Sequence, residues 1–314
     1  MAPSGHNSQP WRVAIVAADK WVIGADPDRR LPAVDPDNRE VMLSLGAFAE
    51  NLSLAAGALG LRAEMRVVAE TSFDPEVIEV ALSESKPEEY PLERIARRMT
   101  AKHGYLPGEI RKEDVAALSA HMQGRLFYFP RGTEHARCIE EGVVEDYRIQ
   151  ADRDDAQREL VSWLRLSDAD AEKHRDGLTA EGMEITGLKG WFVRRFVAPE
   201  DFMKPDYRRQ GVDIARKLAA EGGGWFVITS AGSSVADLID AGRKFERMAL
   251  LARERGIGIH PMTQSLEEPQ GRSRIADSHP AGIVPQFILR VGYLSRYPEP
   301  VSLRRPLGAF VAAA

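Results

Sequence analysis

Two stretches, far apart in the chain, constrain its fold more than anything else. Ser44 to Leu61 reads SLGAFAENLSLAAGALGL, and Asp240 to Ile257 reads DAGRKFERMALLARERGI. Laid side by side without a gap, Gly46 falls on Gly242, Glu50 on Glu246, Leu54 on Leu250, Ala56 on Ala252 and Gly60 on Gly256. In the first stretch Val41, Leu45, Phe48, Leu52 and Ala55 recur at helical spacing,. Gly60 and Gly256 stand where a left-handed residue closes a helix. The first helix is rich in Ala and Gly, so another backbone can approach it closely. The flanks match as well. Trp21-Val22-Ile23 precedes the first copy and Trp225-Phe226-Val227 the second, while Val77 to Leu82 and Gln286 to Val291 follow as closing strands. The pattern predicts two copies of one α+β unit, residues 1–88 and 89–314. The second copy carries an insertion of about 90 residues between its first two strands, Pro130 to Gly224. Two such units, each with half a core, dock like the subunits of a dimer.

Within this frame, Trp11 to Val16 and Lys20 to Ala25 read as a strand pair. Asp35-Pro36 marks a helix start, with Asp as cap and Pro at the first helical position. Arg62 to Ala69 and Val77 to Ser83 follow as strands. Leu92 to Met99 and Lys112 to Met122 read as helices, and Arg125 to Phe129 as a strand. Thr133 to about Leu218 is predicted helical, with Trp163, Trp191, Phe192 and Phe196 interleaved among many charges. Trp225 to Ser230 is a strand, Val235 to Arg255 a helix and Gln286 to Val291 the last strand.

Composition narrows the function. The formal net charge of -5 argues against a broad cationic face and hence against nucleic acid as a partner,. The single cysteine, Cys138, excludes an intrachain disulfide and reads as a small buried filler,. No clustered Cys/His spacing suggests a metal site. No apolar run approaches the ~20 residues needed to span a bilayer, and the N-terminus lacks a signal-peptide pattern. The expectation is a cytoplasmic protein with no membrane partner, a monomer that mimics a dimer and acts on a small molecule.

The N-terminus carries the chemical signal. Ala2 to Trp11 reads Ala-Pro-Ser-Gly-His-Asn-Ser-Gln-Pro-Trp. Pro3, Ser4, Gly5 and Asn7 bend backbone and free N–H groups toward a ligand, and Ser4, Asn7, Ser8 and Gln9 both donate and accept hydrogen bonds. This segment resembles the flavin-contacting Ala-Pro-Ser/Thr-x-x-Asn-x-Gln-Pro-Trp motif of the nitroreductase family. The resemblance implies that Pro3, Ser4, Gly5, His6, Asn7 and Gln9 line FMN. One departure is that family members place an amphipathic helix before the motif, whereas here only Met1 precedes it. The two-copy layout is similar to that of twin-domain, Acg-type nitroreductase-like proteins, in which the insertion can form a lid over the flavin.

The same resemblance points to cations for the flavin phosphate. Arg98-Met99-Thr100-Ala101-Lys102 resembles the family's Arg-x-Ser/Thr-x-Arg segment and implies contacts from Arg98, Thr100 and Lys102. Lys102 keeps the charge of the usual Arg but loses its bidentate fork. Ser302-Leu303-Arg304-Arg305 resembles the family's closing segment, with Arg305 the first choice for the phosphate and Arg304 the second,. His260 to Gln264 resembles the loop passing N5 of the ring, making Met262, Thr263 and Gln264 candidates. Each copy keeps complementary parts, so one flavin per chain is expected. The chemistry implied is hydride transfer from NADH or NADPH through FMN to a nitroaromatic or quinone, with no protein catalytic residue required. Two other readings are a flavin-sequestering protein with a closed lid, and a relic that binds no flavin.

Overall fold

The computed structural model describes residues 1–279 and 283–313. Its strands are β1 (Trp11–Ala17), β2 (Lys20–Ala25), β3 (Leu61–Val67), β4 (Glu76–Glu84), β5 (Leu126–Pro130), β6 (Gly224–Ser230), β7 (Ile257–Pro261), β8 (Val284–Tyr293) and β9 (Val311–Ala313). The helices are α1 (Arg39–Ala58), α2 (Glu93–Arg97), α3 (Lys112–Ser119), α4 (Glu134–Asp152), α5 (Asp154–Ser162), α6 (Asp168–His174), α7 (Gly187–Phe196), α8 (Pro205–Ala219), α9 (Val235–Glu254), α10 (Gln264–Glu267) and α11 (Pro269–Ser278). One sheet has the order β3-β4-β2-β1-β9 and the other β5-β6-β8-β7. Read from its far edge, the second sheet runs β7-β8-β6-β5, the order of β3-β4-β2-β1 in the first. All six of these pairings are antiparallel. β9 alone is parallel: it brings the C-terminal tail back beside β1 of the first sheet.

The sheets differ in how they are covered. β6 is buried along its whole length. Its side chains alternate, as a strand's must: Phe226 and Ile228 pack toward α3 and α9, while Trp225 and Val227 pack with residues of α4, α10 and α11. A strand covered on both faces reads as a continuous apolar run, which is what Trp225 to Ile228 is.

Helices α1 and α9 join the two sheets. Both run twenty residues and begin and end at equivalent positions of the gapless alignment. Each is followed by a glycine in the left-handed region, Gly60 at φ 76° and Gly256 at φ 67°. Where they cross, a Cβ on Gly46 would run into the Ile239 carbonyl oxygen and stand 3.0 Å from the Gly242 Cα. A Cβ on Gly242 would run into the Leu43 carbonyl, with the Leu43 Cα 3.0 Å away. Ile239 precedes Gly242 by the same three positions by which Leu43 precedes Gly46, so the contact is reciprocal. The polar contacts repeat the pattern. Glu50 accepts from Arg247 at 2.5 Å, and Glu246 accepts from Asn51 at 2.8 Å. Reciprocity of this kind marks an isologous contact about a twofold axis.

Four expectations change. Helix α1 starts at Arg39, because Asn38 turns into the left-handed region at φ 52°. Asp35 still serves the helix end, its carboxylate accepting from the Glu40 and Val41 amides at 3.0 and 3.1 Å. Residues 257–261 and 311–313 are strands that the pattern did not predict, so His260 and Pro261 lie in β7, not in a loop. The region predicted helical from Thr133 to Leu218 is five helices, interrupted by a parallel bridge between Leu164 and Leu178. Finally, α1 is long and apolar enough by composition to cross a bilayer, with a mean hydropathy of 1.3 over its 18-residue window, but 72% of that window is buried inside the protein.

Candidate functional site

The N-terminal loop is held in an unusual shape. His6, Asn7 and Gln9 have φ of 48°, 53° and 53°, the left-handed region that side chains other than Gly seldom adopt,. Such strain persists only where surrounding contacts enforce it, and here they are dense. The Gln9 amide donates to Ser4 Oγ at 2.9 Å. Asn7 Nδ2 donates to the Gly177 carbonyl at 3.1 Å and the Leu303 carbonyl at 3.3 Å, and Arg304 Nη1 donates to Asn7 Oδ1 at 3.0 Å. Gln9 Nε2 donates to the Arg175 carbonyl at 3.0 Å, and its Oε1 accepts from the Arg305 amide at 2.9 Å. Head, tail and insertion therefore meet on one loop. His6 is half-buried, its Nε2 enclosed without a partner among the described residues, and desolvation pushes its pKa down to about 4.

Two predicted cations reach the start of the chain. Arg98 Nε donates to the Met1 carbonyl at 3.0 Å, and Arg304 Nη2 lies 3.4 Å from the same oxygen and 3.3 Å from the Ala2 carbonyl. Among the described residues, the carboxylate that pairs with Arg98 is Glu246, 3.6 Å away and fully buried. Burial, and then the neighbouring Arg98 charge, push the Arg304 pKa down to about 10. Burial first, then the Arg304 charge, lower the Met1 amino group to about 5. Buried Arg98 and half-buried Arg304 have Glu246 as their nearest countercharge among the described residues, and Arg304 Nε is buried there without a partner among them. A buried excess of positive charge calls for an anion.

Arg305 is used differently from the expectation. Its Nη2 donates to the Gln9 carbonyl at 2.7 Å and the Trp11 carbonyl at 2.9 Å, and its Nη1 to the Ala309 carbonyl at 3.2 Å. Those donors hold the start of β1 against the tail, so Arg305 meets the loop at Gln9 while Arg304 meets it at Asn7. Arg305 also lines a cavity of about 760 Å³ with Arg29, Trp163, Arg165, His174 and Asp176, and residues 3–9 do not line it.

The Met262 to Gln264 segment approaches the loop through a pair of carboxyls. A Cβ on Gly5 would lie 3.1 Å from Glu40 Oε2. Glu40 shares a hydrogen bond with Glu267, and Thr263 Oγ1 donates to Glu267 Oε1 at 3.3 Å. Desolvation, followed by the Glu267 charge, pushes Glu40 up to about 8. Burial also raises Glu267. Met262 itself is buried, its amide donating to the Ile288 carbonyl at 2.8 Å. Gln264 opens α10, and its Oε1 is unpartnered. No motif pointed to Glu40 and Glu267, because the pair forms only when α1 and α10 meet. Glu246 was visible beforehand only as the partner of Glu50 in the helix alignment.

Lys102 lies with other charges. Its amide donates to Glu184 Oε1 at 2.7 Å, and its carbonyl accepts from Arg290 Nη2 at 2.5 Å. Burial lowers its pKa, and its charge lowers that of His260. Its side chain is thus grouped with Arg290 and His260, not with Arg98 at Met1. Thr100 is half-buried between the two groups. Pro3 and Ser4 flank the loop, both half-buried.

A flavin mononucleotide is a test these residues can be put to. The phosphate finds a match in buried Arg98 and half-buried Arg304, a cation pair with one countercharge and an idle Nε among the described residues. The ring finds the Asn7 donor already taken by the Gly177 and Leu303 carbonyls, and the Asn7 acceptor already taken by Arg304. The group therefore fits at its anionic end, while segment 175–177 lies against the loop where the ring's partners would be.

No family model matches the chain. Relatives do. A Mycobacterium tuberculosis protein assigned as an NAD(P)H nitroreductase, Rv3131, is 25% identical over 321 residues, 99% of this chain and 88% of its own. Acg from the same organism, assigned likewise, is 25% identical over 98% of this chain and 90% of its own. PigM from a Serratia species, also assigned as an NAD(P)H nitroreductase, is 24% identical over 93% of this chain and 85% of its own. Among solved structures, an FMN-dependent nitroreductase from Mycobacterium smegmatis in complex with NADPH aligns with 71% of this chain and 97% of its own, at 12% identity and a TM-score of 0.43, too distant a likeness to carry an argument. Along nearly all of its length, the chain is thus similar to proteins named as NAD(P)H nitroreductases, Acg among them.

Proposed function

We propose that the chain is an FMN-dependent oxidoreductase of nitroreductase type, built as two fused repeats, 1–88 and 89–314, that together hold one flavin. The reciprocal crossing of α1 on α9 supports the repeat reading. The observation that carries the flavin reading is the pair Arg98, buried, and Arg304, half-buried, converging with Asn7 on the start of the chain with only Glu246 to balance them among the described residues. The names of the relatives supply the chemical class. In this reading Arg98 and Arg304 grip the phosphate, with Thr100 beside them. The Pro3 to Asn7 loop walls one face of the ring, and Met262 to Gln264 approach its N5 side. Arg305 and Gln9 hold the loop in shape, and Lys102 supports the segment from behind. The flavin chemistry is hydride uptake from NADH or NADPH and delivery to an electron-poor small molecule, a nitroaromatic or a quinone. Glu40 keeps a proton at neutral pH beside Gly5. A cytoplasmic location accords with this use of nicotinamide cofactors.

A second reading, flavin storage with little turnover, draws on one observation. Segment 175–177 is bonded to the loop from both directions, since the Gly177 amide also donates to the Asn7 carbonyl at 3.2 Å. Titration of FMN into the protein, followed by quenching of flavin fluorescence, tests the site. Arg98→Ala and Arg304→Ala each remove a charge-assisted contact of about 1.5–3 kcal/mol, which is roughly 10- to 100-fold in Kd. Unchanged affinity in both variants would place the phosphate elsewhere.

A further inference from the structure

Helix α7 turns its large apolar side chains outward. Leu188, Trp191, Phe192 and Phe196 fall at i, i+3, i+4 and i+8, a single stripe of a helix, and are 87%, 55%, 52% and 60% exposed. The inward side is small and polar. Gly190 is buried, and a Cβ there would run into the Ile185 carbonyl; Arg194 pairs with Glu181 and Asp168. The outward residues form one surface. Trp191 meets Phe196 edge-on at 5.6 Å, and Phe192 meets Phe196 at 5.1 Å. With aromatic side chains of about 150–250 Å² each, the exposed stripe comes to roughly 500 Å², at the upper end for a monomer's largest patch. That is short of the ~800 Å² per partner of a standard protein interface.

The charge around the stripe favours one occupant. α7 carries Lys189, Arg194 and Arg195 and no acidic residue, on a chain whose net charge is -5. Lys189 and Arg195 are exposed and have no ion-pair partner among the described residues. A second copy seated face to face would oppose these cations to their own counterparts, which is repulsive. Apolar and aromatic side chains beside unpaired cations are instead the composition of a helix that lies in a membrane interface.

We propose that α7 docks the protein on the surface of an anionic phospholipid bilayer. Trp191, Phe192 and Phe196 enter the headgroup region, and Lys189 and Arg195 meet lipid phosphates. This is peripheral binding by an exposed helix and needs no spanning segment. It stands independently of the flavin reading, although Glu184, just before α7, holds the Lys102 and His103 amides and so ties the helix to that end of the candidate site.

The test is co-sedimentation of the full chain with vesicles of phosphatidylcholine containing phosphatidylglycerol, against phosphatidylcholine alone, with tryptophan emission recorded in parallel. Trp191 is the exposed tryptophan, since Trp11, Trp163 and Trp225 are buried and Trp21 half-buried. The expected result is binding to the anionic vesicles with a blue shift, weakened by salt. Trp191→Ser with Phe196→Ser should weaken it ~10-fold or more, and Lys189→Glu with Arg195→Glu should abolish the anionic preference. Unchanged melting temperatures will show that these surface variants fold. No binding by the native chain, or equal binding by Trp191→Ser with Phe196→Ser, overturns the proposal. So does a concentration-dependent dimer that this variant loses, which would identify a second copy as the occupant.

Discussion

Replacing Gly46 or Gly242 by alanine tests the helix crossing on which the architecture depends. In a helix interior the exchange is ordinarily favourable by about 1 kcal/mol. Here the new methyl would meet main-chain atoms, the Ile239 carbonyl in one case and the Leu43 carbonyl in the other. Backbone cannot swing aside as a side chain can, so the two axes must separate. Overpacking of this kind costs up to about 3 kcal/mol, leaving each variant about 2 kcal/mol less stable than the native chain after the propensity gain. Gly57→Ala in the same helix is the control. Its methyl would lie 3.1 Å from the Glu88 carboxyl carbon, the mobile end of a long side chain, so it should keep most of the ~1 kcal/mol gain. Because the two contacts are reciprocal, Gly46→Ala and Gly242→Ala should cost similar amounts. The double variant should cost less than their sum, the helices having already parted. Urea denaturation followed by tryptophan fluorescence measures all four proteins. If Gly46→Ala and Gly242→Ala are as stable as Gly57→Ala, the reasoning about this crossing is wrong.

Three further outcomes are expected. Burial raises Glu40 in the folded protein to about 8 from an ordinary value of 4.5. The stability linked to its proton is therefore fully present below about pH 4.5 and is lost as the pH rises toward 8. Glu40→Gln should gain on the native chain over that window, by on the order of 4 kcal/mol at pH 8, in melts compared at pH 5 and pH 8. Parallel pH profiles would contradict this assignment. Arg305→Ala leaves the Gln9, Trp11 and Ala309 carbonyls without their donor and should cost on the order of 4 kcal/mol, measured by thermal unfolding, whereas a loss confined to flavin affinity would make it a ligand residue after all. Asp176 binds Arg29 at 2.7 Å and Arg165 at 3.0 Å. Asp176→Ala should therefore loosen segment 175–177 and speed limited proteolysis there several-fold; an unchanged cleavage rate would show that other contacts hold the segment.

The close approach of α1 and α9 was legible because repeated glycines leave a mark in the letters. Gly46, Gly60, Gly242 and Gly256 sit where only a missing Cβ or a left-handed turn will do. β7 escaped notice because Gly258 and Pro261 look like turn residues; an edge strand tolerates a proline at its end. β9 escaped because its alanines carry little strand preference, and its pairing partner lies at the opposite end of the chain. At the site, the letters named Asn7 and Arg304, and the structure brings these two side chains into contact. That Arg304 meets Asn7 while Arg305 meets Gln9 depends on where the tail turns, which the local sequence does not encode. The Glu40–Glu267 pair had no local signature, since neither carboxyl is unusual until both are buried together.

The most direct measurement is to saturate the protein with FMN, count the flavin released on denaturation, and add NADPH to the loaded protein without oxygen. The account predicts one flavin per chain and loss of the oxidised flavin absorbance. Two flavins per chain, or none retained in the presence of excess FMN, would contradict it; a loaded protein that stays yellow would leave flavin storage as the function.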